Sequence, residues 1–232
     1  MKKRFAAFVS TVLAAVLCAC SAAPKDVLPN KAAQPTEAPT QQAQTTQAAP
    51  TEQPTPEPDL VQQLLEEMTL EQKVGQLFLV RPDSLDLSQT QDQINDAKAD
   101  GVTELTDAMR QTLAEYPVGG VVIFGKNLES PQQITQFLDD LQQASDTLLF
   151  TAVDEEGGLV ARLANNAAFD LPQYESAAAV GTSGNPEDAR AMGRTIGGYL
   201  KEYGFNLDFA PVADVNTNPD NPVIGTRAFS SE

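Results

Sequence analysis

The chain has 232 residues, a formal net charge of −17 and no histidine. Without an imidazole these residues form neither a Ser-His-Asp triad nor a Cys-His pair, and so acidic a surface repels the phosphates of nucleic acids. Hydrophobic residues make up 41% of the chain, which suits one globular domain but not a protein with many membrane spans. We therefore expect no nucleic-acid partner.

Residues 1–19 have the pattern of a bacterial lipoprotein signal peptide. Three basic residues open the chain, and the apolar run over 5–17 is shorter than the ~20 residues of a membrane-spanning helix. The run ends in Leu17-Cys18-Ala19-Cys20, which resembles a lipobox and predicts cleavage before Cys20 with a diacylglycerol on its thiol. We expect an exported protein that is lipid-anchored to the membrane and faces outside the cytoplasm. An ordinary secretory signal with incidental cysteines is the alternative.

Residues 20–58 are predicted to be a disordered tether. The stretch consists largely of Pro, Gln, Thr, Ala and Glu, so it has too few apolar side chains to offset the entropy cost of ordering the backbone. Its prolines make it a semi-rigid spacer. Both cysteines precede the globular part, which therefore contains no disulfide.

The globular part begins near Asp59 with two predicted helices, one over 59–67 and one from Thr69. Thr69 and Gln72 fit a capping box, and apolar residues recur after it at helical spacing. The polar segment over 81–105 has no clear pattern. The apolar face expected for the second helix comprises Leu70, Val74, Leu77 and Phe78.

Alternating strands and helices follow. The strands are short runs rich in β-branched residues, typical of parallel strands that are buried on both faces, and the helices have the length of crossover connections. The pattern predicts an α/β fold. In chain order, we expect a helix over 106–116, a strand over 119–124, a helix over 131–145, a strand over 148–153, a helix over 186–203 and a strand over 205–212.

Polar and glycine-rich residues follow the carboxyl end of each predicted strand. Asp154 directly follows the second strand, with Gly157-Gly158 and Arg162 after it, and Arg227 lies beyond the third strand. The carboxyl ends of parallel strands meet at one edge, where α/β folds place their ligands. A carboxylate accepts two hydroxyls and a guanidinium is a planar donor, while glycines allow close approach of the backbone to a ligand. A solvated acidic turn without a ligand remains the alternative.

A calcium site is not expected in the loop over 214–225. Its alternating acidic and amide residues resemble an EF-hand loop, but Pro219 and Gly225 stand where that motif needs Gly and Glu. The segment over 181–184 is not a phosphate-binding loop, because no Lys-Ser or Lys-Thr follows its glycines.

Four stretches together resemble the N-terminal domain of glycoside hydrolase family 3, in its β-N-acetylhexosaminidase-like branch. The resemblance implies a TIM-type (β/α)8 barrel, of which this chain would form about the first three βα units. The four stretches are MTLEQKVGQLFLV (68–80), GGVVIFGKN (119–127), AVDEEGGLVARL (152–163) and YGFNLDFAPVADVNTNPDNPVIGTRAFSSE (203–232).

The resemblance also implies roles for three residues. Asp154 matches the family's aspartate that holds sugar hydroxyls in subsite −1, and Arg162 and Arg227 match arginines that contact the sugar. Two positions depart from the family pattern, since Leu159 stands where an arginine is common and Glu155 where a glutamine is frequent.

For the whole protein, the resemblance implies retaining hydrolysis that removes terminal β-linked N-acetylhexosamine, without a cofactor or metal. The expected substrates are saccharides that contain β-linked N-acetylglucosamine. The nucleophile and the histidine acid/base are expected beyond Glu232, so 59–232 is expected to be a truncated barrel domain that is inactive alone. Two alternatives are a sugar- or solute-binding surface lipoprotein without catalysis and a sugar-binding module that ends at Glu232.

Overall fold

The computed structural model describes residues 59–232. The predicted signal peptide, the lipidation site at Cys20 and the tether therefore lie outside the described residues. Within 59–232, no helix has both the length and the apolar character needed to cross a bilayer.

The centre of the fold is a parallel sheet of four strands that lie side by side in chain order, β1-β2-β3-β6. Successive strands are joined through helices, which is the arrangement of consecutive units in a (β/α)8 barrel. Among residues 59–232, β1 and β6 each pair on one side only, so the sheet is open. The strands are β1 Leu79–Val80, β2 Gly120–Ile123, β3 Phe150–Val153, β4 Glu155–Gly157, β5 Val160–Ala161 and β6 Leu207–Asp208.

The helices begin where a side chain can accept hydrogen bonds from free backbone amides. Thr69 forms the predicted capping box with Gln72, and Ser130 caps the helix that Pro131 opens. In the described part of the chain, short 3-10 helices lie at Pro82–Leu85, Gly125–Asn127 and Gly225–Arg227. The α-helices are α1 Leu60–Glu67, α2 Leu70–Gly75, α3 Gln91–Asn95, α4 Asp107–Glu115, α5 Pro131–Gln143, α6 Ala177–Gly181 and α7 Pro186–Glu202.

The core forms between the sheet and helices α4, α5 and α7. One face of α5 is fully buried against it, as the spacing predicted, and α7 packs beside α5. The predicted α/β fold with buried parallel strands is confirmed. The buried face of α5 comprises Ile134, Phe137, Leu138 and Leu141.

The expected second helix was too long. It ends at Gly75, where the chain passes so close to Pro117 that a Cβ would lie 2.3 Å from the Pro117 carbonyl oxygen. The chain then turns into β1, whose two residues were too few to give a strand pattern. The apolar face expected for the second helix is not buried. Its four residues, Leu70, Val74, Leu77 and Phe78, are all exposed.

Two further boundaries differ from the sequence expectation. The last strand covers Leu207–Asp208 and not 205–212, since only these residues pair with β3. The acidic segment after β3, expected to be a loop, forms the antiparallel hairpin of β4 and β5.

A buried ion pair anchors the polar segment over 91–105 beneath the ends of β1 and β2. Lys126 Nζ lies 3.1 Å from Asp83 Oδ1 and donates to the carbonyl oxygens of Gln93 and Ile94. The side chains of Lys126 and Asp83 are 6% and 0% exposed. Asn127 Nδ2 donates to Asp83 Oδ2 at 3.0 Å. This network gives a segment without apolar patterning its fixed position.

Lys126→Met is expected to lower the free energy of unfolding by about 3 kcal/mol, because it leaves the buried Asp83 carboxylate without its cation. Urea unfolding followed by circular dichroism measures the change. Lys98→Met, at an exposed position of the same segment, is the matched control and should change stability little. Equal effects of the two substitutions would contradict this account.

Candidate functional site at the carboxyl ends of the strands

A polar or aromatic residue lies at the carboxyl end of each parallel strand, and these ends form one edge of the sheet. Arg81 follows β1, Phe124 follows β2, Asp154 follows β3, and Asp208 ends β6. The parallel register aligns these strand ends, so residues distant in sequence converge on one rim.

The β4–β5 hairpin brings two of the predicted site residues together. Glu155 pairs with Ala161 in the antiparallel register, so Asp154 and Arg162 come next to each other at the mouth of the hairpin. Arg162 Nη2 lies 2.9 Å from Asp154 Oδ2, and the two side chains are 32% and 27% exposed. The pair is thus formed at the rim and is open to a ligand.

The glycines of the hairpin serve its turn. Gly157 and Gly158 have φ values of 81° and 74°, which favour glycine. A Cβ on Gly157 would collide with Met192 Cε, and one on Gly158 would lie 2.8 Å from Ser176 Cα. The close approach that the pair allows is therefore to Met192 and Ser176, and not to a ligand as the sequence indicated.

The third predicted site residue, Arg227, is held by Glu156. Arg227 Nε and Nη2 donate to the two carboxylate oxygens at 2.8 and 2.6 Å, a bidentate geometry that fixes the plane of the guanidinium. The hydrogen bond to Glu156 and the charges of Glu156, Asp154 and Asp214 raise the pKa of Arg227. Arg227 is thus held near the site by Glu156, which lies two residues after Asp154 in the hairpin.

Phe124 lies between two cations of the rim. The guanidinium carbons of Arg81 and Arg162 lie 4.2 and 5.4 Å from its ring centroid, within the range of cation–π attraction. Arg81 is also tied to the polar segment by a hydrogen bond of 2.7 Å from Nη1 to the Ile94 carbonyl oxygen. The ring therefore supports the Arg162 guanidinium on the side away from β6.

Glu155 is a buried carboxylate directly beneath the rim. It is 0% exposed and accepts three hydrogen bonds, from the backbone amides of Leu163 and Ala164 and from the Tyr199 hydroxyl. Burial, the hydrogen bond to Glu155 and the Glu155 charge raise the pKa of Tyr199, which remains a neutral donor. The sequence marked Glu155 only as a departure from the family pattern.

The rim concentrates negative charge around Asp208. Burial raises the pKa of Asp208 to about 6, and the charges of Glu155, Asp154 and Glu156 act in the same direction. The amide of Glu155, which donates to Asp208 Oδ1 at 3.0 Å, opposes the shift.

The sequence analysis missed several functional neighbours. Lys126 follows β2 in the 3-10 helix Gly125–Asn127 and forms the buried pair with Asp83, which no local pattern indicated. The role of Glu156 as the anchor of Arg227 had no signal beyond its place in an acidic run. Within 59–232, no group of three or more Cys, Asp or Glu side chains is arranged to hold a metal ion, and this includes the loop over 214–225.

Comparison with known proteins identifies the family. The profile of the glycosyl hydrolase family 3 N terminal domain matches residues 69–232. The chain belongs to this family. Its parallel strands in chain order are thus part of a TIM-barrel-like domain.

Among curated relatives, the chain is similar to beta-hexosaminidase A of Pseudoalteromonas piscicida, with 35% identity over 56% of this chain and 22% of the relative. It is 33% identical to the beta-hexosaminidase of Thiobacillus denitrificans over 56% of this chain and 36% of that one. The chain therefore spans less than two fifths of either protein.

Solved structures of the family share the fold. A glycoside hydrolase family 3 beta-N-acetylglucosaminidase from Paenibacillus gives a TM-score of 0.57 at 34% identity, covering 70% of this chain and 27% of that chain. A family 3 glycosyl hydrolase from Mycobacterium smegmatis gives 0.53 at 28% identity, covering 72% and 43%.

Asp208→Asn is expected to change the pH dependence of stability. Because the pKa of Asp208 is about 6 in the folded protein and 3.8 ordinarily, the folded state binds more protons between these values, and the free energy of unfolding falls as pH rises through that window. Between about pH 5 and pH 7.5, the free energy of unfolding of the variant should rise by about 1 kcal/mol relative to that of wild type. This value is reduced for solvent screening.

Urea unfolding at the two pH values measures this gain. Asp214→Asn, an exposed carboxylate of the neighbouring loop, is the control and should show a much smaller difference. A wild-type-like pH dependence for Asp208→Asn would contradict the assignment.

Proposed function

We propose that these residues form the sugar-holding side of the active site of a β-N-acetylhexosaminidase. The observation that carries the proposal is the partly exposed Asp154–Arg162 pair at the end of β3. Arg227 is bound to Glu156, two residues beyond Asp154. The names of the family's curated relatives and the Paenibacillus structure support the choice of N-acetylhexosamine as the sugar.

The geometry suits recognition of sugar hydroxyls. Asp154 has one carboxylate oxygen on Arg162 and further acceptor capacity for hydroxyl donors. The guanidiniums of Arg162 and Arg227 supply donors held by Asp154 and Glu156. Together they can orient a terminal sugar ring at the strand ends, which is the task of the subsite where the glycosidic bond is broken.

For the whole protein we propose retaining hydrolysis of terminal β-linked N-acetylhexosamine. A carboxylate nucleophile attacks the anomeric carbon to give a glycosyl-enzyme intermediate, and an acid/base protonates the leaving oxygen and then activates water. We assign no residue of 59–232 to either of these two roles. The residues described here orient the ring while the reaction proceeds.

Asp154→Ala in the full-length gene product is expected to lower kcat/KM for an aryl β-N-acetylglucosaminide about 100-fold, because hydrogen bonds between a charged group and the sugar are lost. Turnover of the chromogenic substrate measures it. Asp139→Ala, which removes an exposed carboxylate from α5, should leave turnover unchanged.

Two results would overturn the proposal. Hydrolysis that survives Asp154→Ala at the wild-type rate would remove Asp154 from the site. Binding of N-acetylglucosamine by the wild-type protein without any turnover would favour the alternative of a sugar-binding surface lipoprotein.

We also propose that the protein is exported and anchored by a lipid on Cys20, with the proline-rich tether holding the domain off the membrane. The support is the sequence alone, namely the short apolar run followed by Leu17-Cys18-Ala19-Cys20. An exported enzyme of this kind would act on N-acetylglucosamine-containing cell-wall saccharides.

Cys20→Ser is expected to abolish incorporation of a radiolabelled fatty acid and to release the protein from the membrane fraction. Cys18→Ala offers a matched control two residues away and should preserve labelling, since Ala19 and Leu17 still precede Cys20. Labelling that persists in Cys20→Ser would contradict lipidation at this residue.

A further inference from the structure

We propose that Glu155 and Tyr199 are positioning residues that fix Arg162 for contact with the sugar. The inference deepens the proposed function and rests on it. Neither side chain lies at the rim, and both act through the backbone that carries Arg162.

The carboxylate of Glu155 spans the mouth of the hairpin from below. Its Oε2 accepts from the Leu163 amide at 2.8 Å and its Oε1 from the Ala164 amide at 2.9 Å. These amides belong to the two residues directly after Arg162. Glu155 itself directly follows Asp154, so one carboxylate ties together the backbones that carry both members of the rim ion pair.

Tyr199 links this arrangement to the helix layer. Its hydroxyl donates to Glu155 Oε1 at 2.8 Å from α7, and Tyr199 is 7% exposed. The same helix contacts the hairpin turn, where Met192 Cε occupies the space beside Gly157. The hairpin is thereby held against α7 at its turn and at its mouth.

Arg162 depends on this support because its own polar contacts are few. Nη2 bonds to Asp154 at 2.9 Å, while Nε is buried without a hydrogen-bond partner among the described residues. A long arginine side chain has many rotamers to lose, so a fixed backbone and the Phe124 ring at 5.4 Å must limit its freedom. Loosening of residues 163–164 would let the guanidinium leave Asp154.

A glutamine at position 155 provides a conservative test. Glu155→Gln keeps one acceptor oxygen but places an NH2 donor where the second backbone amide needs an acceptor. Glu155→Ala removes both acceptors and leaves two buried amides unpaired. Tyr199→Phe removes only the hydroxyl. Tyr203→Phe is the matched control, since Tyr203 directly follows α7 and packs edge-on against Phe169 at 5.7 Å.

The kinetic test uses the full-length gene product with an aryl β-N-acetylglucosaminide. Glu155→Ala should raise KM about tenfold, the effect of one lost charge-assisted hydrogen bond, with a smaller change in kcat. Tyr199→Phe should raise KM about threefold on the same scale. Glu155→Gln should fall between wild type and Glu155→Ala, because one of the two acceptors is lost, and Tyr203→Phe should stay near wild type. A lowered Tm in Glu155→Ala and Tyr199→Phe with unchanged KM would show a role in folding alone and overturn the proposal.

A second measurement does not require turnover. In protein labelled with 15N-arginine, the Nε–Hε signal of Arg162 reports its place beside the Phe124 ring. The signal should shift in Tyr199→Phe and Glu155→Ala, shift less in Glu155→Gln, and remain in place in Tyr203→Phe. An Arg162 signal with the same chemical shift in wild type, Tyr199→Phe and Glu155→Ala would overturn the positioning role.

The two measurements separate the two proposals. If wild type shows no turnover but Arg162 responds to Tyr199→Phe, the proposed function fails and the positioning role stands. If Asp154→Ala abolishes turnover while Tyr199→Phe and Glu155→Ala change neither KM nor the Arg162 signal, the proposed function stands and the positioning role fails.

Discussion

The side chain of Glu155 is a carboxylate without solvent contact. Such a group needs hydrogen-bond donors from the residues packed around it. Leaving such a group unpaired costs several kcal/mol, on the order of the loss when a buried ion pair is broken. The donors come from the two residues after Arg162 and from Tyr199 on α7. Satisfying one buried charge therefore fixes the hairpin, its return strand and the adjacent helix in a single arrangement.

The rim above this carboxylate is built from pairs of opposite charge. Arg162 forms an ion pair with Asp154, and Arg227 forms one with Glu156. Both pairs keep some exposure to solvent. A surface composed of fixed donors beside fixed acceptors matches a sugar, which presents hydroxyls that both donate and accept. Burial raises the pKa of Asp208, and the carboxylates concentrated at the same rim act in the same direction.

The end of the rim near β1 and β2 is also held by a buried ion pair and by hydrogen bonds. Asp83 and Lys126 are both buried beneath β1 and β2 and neutralise each other, and Arg81 is bound to the Ile94 carbonyl and stacked on Phe124. These polar contacts hold the segment over 91–105, together with the burial of Ile94 and the packing of Val102 and Leu105 against the core. The Phe124 ring connects this end of the rim to Arg162.

Sequence periodicity was sufficient for the parts of the fold governed by apolar burial. The buried face of α5 and the strands β2 and β3 follow directly from the spacing of large apolar residues. It missed β1, because a two-residue strand contains no period, and it made β6 too long. It also missed the hairpin, whose pairing depends on Gly157-Gly158 and on the buried Glu155. Burial of a charged residue leaves no mark in composition.

The candidate site was predictable only in part. Asp154, Arg162 and Arg227 were found through motifs that resemble a known family, and the structure places the first two in contact. The partners that hold them could not be found in this way. Glu156 and Tyr199 act through contacts between residues 71 and 44 positions apart, which no local pattern reveals.

The most direct test of the central claim is a crystal structure of the full-length gene product with N-acetylglucosamine. The account predicts that hydroxyls of the sugar lie within hydrogen-bond distance of Asp154 and of the Arg162 or Arg227 guanidinium, with Glu155 still bound to the amides of residues 163 and 164. A sugar bound elsewhere, with the rim ion pairs untouched, would contradict the account.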